Sequence, residues 1–192
     1  MTETERFVQR LVALQQGELS RLRRHFGRPM DETLQGFDLF TGLWWPLRQE
    51  SQRAPRRDTS WLVAKLYGET PLPHTRQEGG LAATLAQVLG QREPPEVPGL
   101  ANDRARYRSR FDALLRAPLS AVEQHLRWAL SVAARAVREG DCAGLDWARL
   151  LDDLSAWDRG GSSLDEQPRT GRDVSDVWAE EYLNAIRRPK GR

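Results

Sequence analysis

The chain has 192 residues, of which 39% are hydrophobic and 29% are charged, with a net charge of +2. This composition excludes global disorder, and no apolar run reaches the roughly 18–20 residues that a membrane helix needs. The charged N-terminus does not resemble a secretory signal, and the single cysteine, Cys142, forms no intrachain disulfide. We therefore expect a cytoplasmic protein without a membrane partner.

Helical periodicity recurs along the whole chain, whereas strand-like alternation is nearly absent. Thr2 or Thr4 can cap the first helix, Asp146 can cap a helix that follows it, and Asp173 or Ser175 can start the last one. The predicted helices cover about 7–14, 19–26, 34–47, 61–67, 81–89, 102–116, 119–139, 147–157 and 173–186.

Glycine and proline predict where these helices end. Gly17 is expected to break the chain between the first two helices, Pro46 to limit the third, and Gly90 to close the fifth. The strongest cluster of helix breakers lies at 91–101, and residues 159–172 predict an exposed connector.

These elements predict an all-α fold, a helical bundle of about eight or nine helices without a sheet. The breaker cluster divides it into an N-terminal lobe, 1–98, and a C-terminal lobe, 99–192, within one compact unit. Seven tryptophans help to fill the core, since each large aromatic side chain buries about 150–250 Å².

The net charge hides an asymmetry along the chain. Residues 1–138 carry 21 basic and 15 acidic side chains, residues 139–185 carry 4 and 12, and residues 186–192 add four basic ones. Only Lys65 and Lys190 are lysines, which leaves 27 arginines. Arginine grips phosphate in a bidentate manner and stacks on bases, although a compositional bias toward arginine accounts for the excess equally well.

Two predicted helices separate an apolar stripe from arginines. In 102–116 the stripe includes Tyr107 and Phe111. The basic candidates on this helix are Arg104, Arg108 and Arg110. In 119–139 the basic candidates lie within a sector of about 80°, at 100° per residue. They are Arg127, Arg135 and Arg138, and Trp128 lies beside them.

A third basic group lies earlier in the chain, in the second helix and in the loop that follows the third. Its candidate residues are Arg21, Arg23, Arg24, Arg28, Arg53, Arg56 and Arg57. Three clusters with a segregated acidic end match the electrostatic footprint of a nucleic-acid-binding protein. A solvated charged surface remains the simpler explanation of any single cluster.

No catalytic constellation is present, and no cofactor or small-molecule substrate is indicated. His25, His74 and His125 show no metal-ligand spacing. Asp152 and Asp153 are adjacent on a helix, where successive side chains point about 100° apart, so they are predicted to lie on a solvated face instead of sharing a metal. An enzyme is therefore disfavoured.

Two non-enzymatic alternatives stay open. The first is a structural helical adaptor whose arginines pair with acidic partners. The second is a helix-turn-helix regulator, for which Gly17 offers only a poor turn.

Several segments resemble the CasB family, the small subunit of the type I-E CRISPR Cascade surveillance complex. They span nearly the whole chain, in the order 7–8, 17–24, 66–67, 79–82, 110–115, 150–157, Trp178 and Tyr182. The connector 159–172 departs from the family pattern by its length and by its glycine and serine content.

The resemblance implies a non-catalytic protein of antiviral defence that acts beside other subunits, namely the backbone and large subunits, and beside a second copy of itself. It also implies binding to crRNA and to target and displaced single-stranded DNA, and so stabilisation of the R-loop. By position in the family motifs, it favours Arg21, Arg23, Arg24 and Arg110 as contacts.

Overall fold

A computed structural model of the chain describes residues 1–28, 34–76, 80–91, 100–157 and 173–187, without the side chains of 34–37, 89–91, 100–104 and 187. Nine α-helices account for most of these residues. They are α1 (Glu3–Val12), α2 (Gln16–Arg23), α3 (Leu34–Glu50), α4 (Arg57–Glu69), α5 (Leu81–Gln91), α6 (Leu100–Arg116), α7 (Val122–Glu139), α8 (Trp147–Trp157) and α9 (Val174–Arg187).

The expected all-α fold is confirmed. Across the described ranges there is no strand, and the closest approach to one is an isolated parallel bridge between His74 and Leu145. Leu145 donates its amide to the carbonyl of Pro73 at 2.9 Å, and Thr75 donates to the carbonyl of Leu145 at 3.0 Å. This bridge ties the connection between α4 and α5 to the start of α8.

Three predicted caps are present. The hydroxyl oxygen of Thr2 accepts a hydrogen bond from the amide of Glu5, and the amide of Thr2 donates one to the Glu5 carboxylate. These two bonds form a capping box at the start of α1. Asp146 accepts from the amide of Arg149 at 3.0 Å at the start of α8, and Asp173 accepts from the amide of Ser175 at the start of α9. Short polar side chains satisfy amides that the helix cannot pair internally.

Three predicted helix breaks are wrong. Gly17 lies inside the first turn of α2, where the capping box between Gln15 and Glu18 starts the helix. Pro46 lies inside α3, which continues to Glu50, and α5 continues through Gly90 to Gln91. A single proline or glycine costs a helix about 1–3 kcal/mol, and burial of the aromatic face of α3 against α1, α2 and α4 outweighs that cost.

Helix α4 is the central element of the fold. All of its residues from Thr59 to Gly68 are buried, because α2, α3, α7 and α8 pack around it. Gly68 permits the close approach of α2, since an added Cβ would lie 2.8 Å from the Cβ of Leu22.

One hydrophobic cluster contains buried side chains from every described helix, from Phe7 in α1 to Tyr182 in α9. Helix α5 packs on α7 and α9, while α8 packs on α1 and α4. The division into lobes at residue 98 stays a proposal. Its boundary and the connector 159–172 lie outside the described residues. None of the described helices combines the length and the apolarity needed to cross a bilayer.

Candidate nucleic-acid interface

Helices α6 and α7 pack side by side and present their arginines away from the core. Phe111 and Leu114 bury the inner face of α6, and Leu126 and Leu130 bury that of α7. The apolar stripes predicted from helical periodicity therefore anchor both helices, and the polar sectors between these stripes face solvent.

Helix α6 carries exposed arginines along its outer surface. Arg106, Arg108 and Arg110 are exposed, and Arg116 pairs with Asp112 at 3.1 Å one turn earlier. The side chain of Arg104 lies outside the described residues. The remaining arginines give α6 a surface that is predominantly positive.

A small aromatic cluster joins the two helices. The rings of Tyr107 and Trp128 stack with their centroids 6.1 Å apart, and the guanidinium carbon of Arg110 lies 5.8 Å from the centroid of the Trp128 ring. Trp128 is only half-buried. Its ring therefore packs against Tyr107 and also makes a cation–π contact with Arg110. The structure thus brings Arg110 of α6 to the surface of α7.

The arginines of α7 are exposed, but two of them have acidic partners. Arg127 lies 2.7 Å from Glu69, and Arg135 lies 2.8 Å from Glu139 one turn later. The hydrogen bond that Arg135 donates to Glu139 is the largest effect that raises the pKa of Arg135 above its ordinary value. Arg138 is exposed at the end of the same helix. Exposed pairs of this kind contribute little to stability, so a phosphate can replace the carboxylate.

The turn that follows α2 lies next to α7. Arg21, Arg23, Arg24 and Arg28 are all exposed. The turn after α2 meets α7 through Phe26, since the guanidinium carbon of Arg127 lies 4.7 Å from the centroid of the Phe26 ring. Two groups that are far apart in sequence are therefore neighbours in the fold.

The loop arginines lie near the start of α4. Arg53 and Arg56 are exposed between α3 and α4, and Arg57 is exposed as the first residue of α4. This loop is fixed by the indole of Trp44, which donates to the carbonyl of Pro55 at 2.8 Å. The next turn is fixed by Thr59, which shares a hydrogen bond with Ser155 of α8 at 3.0 Å.

Sequence reasoning missed a buried ion pair beneath the α2 turn. The ammonium of Lys65 lies 2.8 Å from the carboxylate of Glu123, and the Lys65 side chain is 4% exposed. A lysine inside the apolar run of α4 was the available signal, because a buried charge needs a partner. The partner could not be inferred, since it lies 58 residues away.

The three histidines take separate places in the fold. His25 is buried with its ring 5.7 Å from that of Trp61, and burial lowers its pKa. His74 accepts from the amide of Trp147 at 3.3 Å, and His125 is partly exposed on α7. Within the described ranges, no group of three or more His, Cys, Asp or Glu side chains is placed to hold a metal ion.

The predicted solvated face at Asp152 and Asp153 is wrong for Asp153. Asp152 is exposed and accepts from the hydroxyl of Thr4 at 2.7 Å. Asp153 points toward α9, where it accepts from the indole of Trp178 at 2.8 Å. Burial raises the pKa of Asp153 to about 6. The reason for the error is that α9 returns against α8, which periodicity within α8 does not reveal.

Several solved structures share the fold of this chain. A Cse2 family protein from Thermus thermophilus is 26% identical, with a TM-score of 0.62 over 96% of this chain and 99% of that one. CasB from M. ruber shares the fold at 23% identity, with a TM-score of 0.65 over 96% and 94% of the two chains. A chain of a CRISPR RNA-guided surveillance complex shares it at 18% identity, with a TM-score of 0.61 over 96% and 93%.

A comparison with curated protein sequences finds no match. The family model of the CRISPR-associated protein Cse2 matches residues 18–183, which include α3 to α8 in full. The chain therefore belongs to the Cse2 family of CRISPR-associated proteins, as its resemblance to CasB predicted.

Proposed function

We propose that this protein is the non-catalytic small subunit of a type I-E Cascade complex and that it holds nucleic-acid backbone through arginines. Its partners are then crRNA, the target and displaced DNA strands, the backbone and large subunits, and a second copy of itself, in the cytoplasm. Membership of the Cse2 family supports the assignment, as does the fold shared with a chain of a CRISPR RNA-guided surveillance complex.

One observation carries the nucleic-acid part of the proposal. Arg106, Arg108 and Arg110 of α6 are exposed, and Arg110 lies over the Trp128 ring of α7, at the junction where Trp128 stacks on Tyr107. Fixed guanidinium groups on two packed helices suit a phosphate backbone, because such contacts position a strand without reading its bases. Guide pairing supplies the sequence selectivity, and protein contacts tip a nearly balanced strand exchange.

The first test is single-residue substitution combined with salt titration. Arg110→Ala and Arg135→Ala should each weaken binding to single-stranded DNA in a filter assay and make the dependence of log K on log salt shallower. The expected change is about 0.7 for each phosphate of a single strand that the variant no longer binds. Arg135 has to leave Glu139 to bind a phosphate. If the salt slope of Arg135→Ala equals that of wild type, Arg135 is not part of the interface.

Arg6→Ala is the matched control for these variants. Arg6 is a partly exposed arginine of α1 that pairs with Glu50 at 3.1 Å, and α1 packs on α3 and α8. This variant removes the same charge from a different surface, so the wild-type slope is expected. If the slope of the control becomes shallower by the same amount, the effect comes from net charge alone.

A structural adaptor is the second candidate function. The ion pairs of Arg127 with Glu69 and of Arg135 with Glu139 favour it, because they show arginines already engaged with acidic side chains. An adaptor would co-purify with the other subunits and show no salt-dependent binding to single-stranded DNA or RNA. A regulator of the helix-turn-helix type would instead prefer particular duplex sequences.

A further inference from the structure

Lys65 is a charged residue in the most buried helix of the fold. Its residue exposure is 3%, and its ammonium donates to Glu123 at 2.9 Å and to the backbone carbonyl of Arg28 at 3.0 Å. The Trp61 ring adds a cation–π contact, with its centroid 5.8 Å from the ammonium nitrogen. A desolvated ammonium needs several such partners to remain charged.

Glu123 extends the same network to the preceding residue. Its carboxylate accepts from the backbone amide of Gly27 at 3.0 Å. The indole of Trp61 also donates to the carbonyl of Arg28, at 3.4 Å. Side chains from α4 and α7 therefore hold the backbone of two consecutive residues, Gly27 and Arg28, at the end of the turn after α2.

This turn is not an ordinary continuation of the helix. Gly27 has a φ of +72°, in the left-handed region that favours glycine. The side chain of Arg28 is exposed directly after it. Lys65 donates a hydrogen bond to the carbonyl of Arg28 from the protein interior. This bond constrains the direction in which the Arg28 side chain leaves the surface.

Stability alone is a weak reason for such a pair, since apolar replacement of a buried ion pair is often neutral or stabilising. We propose that the Lys65–Glu123 pair is a positioning device that holds the turn at Gly27 and Arg28 so that Arg28 contacts a nucleic-acid phosphate. This inference rests on the proposed function and assigns Lys65 and Glu123 a role in binding although neither contacts the strand.

The test is the double variant Lys65→Met/Glu123→Leu, compared with wild type, Arg28→Ala and the triple variant. The double variant removes one positive and one negative charge, so the net charge of +2 is kept. Filter binding to single-stranded DNA between low and moderate salt gives the affinity and its salt slope. Removal of one phosphate contact lowers affinity about fivefold at 0.1 M salt and makes the slope shallower by about 0.7.

We expect the double variant to lose as much affinity and slope as Arg28→Ala does, and the triple variant to lose no more. This non-additivity is the signature of residues that act through one another. A double variant with the wild-type affinity and slope, or a triple variant with additive losses, would overturn the positioning role. Absence of salt-dependent binding in the wild type would instead overturn the proposed function itself.

Leu11→Ala separates positioning from general destabilisation. Leu11 is fully buried in α1, so the variant loses thermal stability through a cavity without touching the turn. It should keep the wild-type slope, and a shallower slope would contradict the inference. If the double variant does not fold, Lys65→Met/Glu123→Gln is used, which keeps an acceptor for the Gly27 amide and loses the ammonium. A shallower slope is again expected, and a wild-type slope overturns the proposal.

Discussion

The half-buried carboxylate of Asp153 should make the protein less stable as the pH rises. Its hydrogen bond to Trp178 fastens α9 to α8, beside the edge-on contact of Trp178 with Trp157 at 4.9 Å. Burial raises the pKa of Asp153 from 3.8 to about 6, with contributions in the same direction from Glu181 and Asp152. The hydrogen bond from Trp178 and the charge of Arg149 act in the opposite direction.

The direction of this change in stability with pH follows from the raised pKa of Asp153. Between pH 3.8 and about 6 the native state holds the proton more tightly than the unfolded state does, so this group stabilises the fold at low pH and loses that effect as the pH rises. The full difference is about 3 kcal/mol, at 1.36 kcal/mol per pKa unit. About 1.4 kcal/mol of it falls between pH 5 and pH 8, and partial contact with solvent makes both figures upper values.

Asp153→Asn keeps an oxygen that accepts from Trp178 and removes the charge. At pH 8 the variant should be more stable than wild type by about 1–3 kcal/mol, which corresponds to about 2–4 °C in Tm per kcal/mol for a chain of this size. At pH 5 the advantage should shrink by about 1.4 kcal/mol.

Urea unfolding followed by circular dichroism at pH 5, 6, 7 and 8 measures this difference. Asp176→Asn is the matched control, because Asp176 is an exposed carboxylate on the same helix as Trp178. The difference in stability between Asp176→Asn and wild type should not change with pH in the way expected for Asp153→Asn. A difference for Asp153→Asn that is constant between pH 5 and pH 8, or a less stable variant at pH 8, would refute the reasoning.

Two local predictions concern glycines and a cap. Gly144→Ala should destabilise the protein by at least about 2 kcal/mol, since an added Cβ would lie 2.2 Å from the carbonyl oxygen of Pro73. Gly17→Ala, which meets nothing within 4 Å inside α2, should stabilise it by about 0.5–1 kcal/mol. Equal effects of the two in thermal unfolding would contradict this contrast. Thr2→Ala should cost about 1 kcal/mol by removing the hydrogen bond to Glu5, and an unchanged Tm would show that α1 needs no cap.

The helices themselves are predictable because each carries its own apolar periodicity. The pattern predicts a helix at 147–157 with Asp146 as its cap, and the structure places α8 at those residues. The errors concern breaks, such as Pro46 inside α3. Local propensity favours a break at proline, whereas the packing of α3 is set by distant helices that a local pattern does not contain.

The candidate interface is only partly predictable. Periodicity identifies the exposed side of α6, including Arg108 and Arg110. It cannot reveal that Arg127 meets Phe26, or that Glu69 pairs with it, because those contacts depend on how helices cross. The same reason hides the partner of Lys65.

The salt dependence of wild-type binding to single-stranded DNA tests the central claim most directly. Exposed arginines on α6 and α7 that engage three or four phosphates predict a slope of log K against log salt of about −2 to −3. A slope near zero, or no binding at low salt, would contradict the account that this surface holds a nucleic-acid strand.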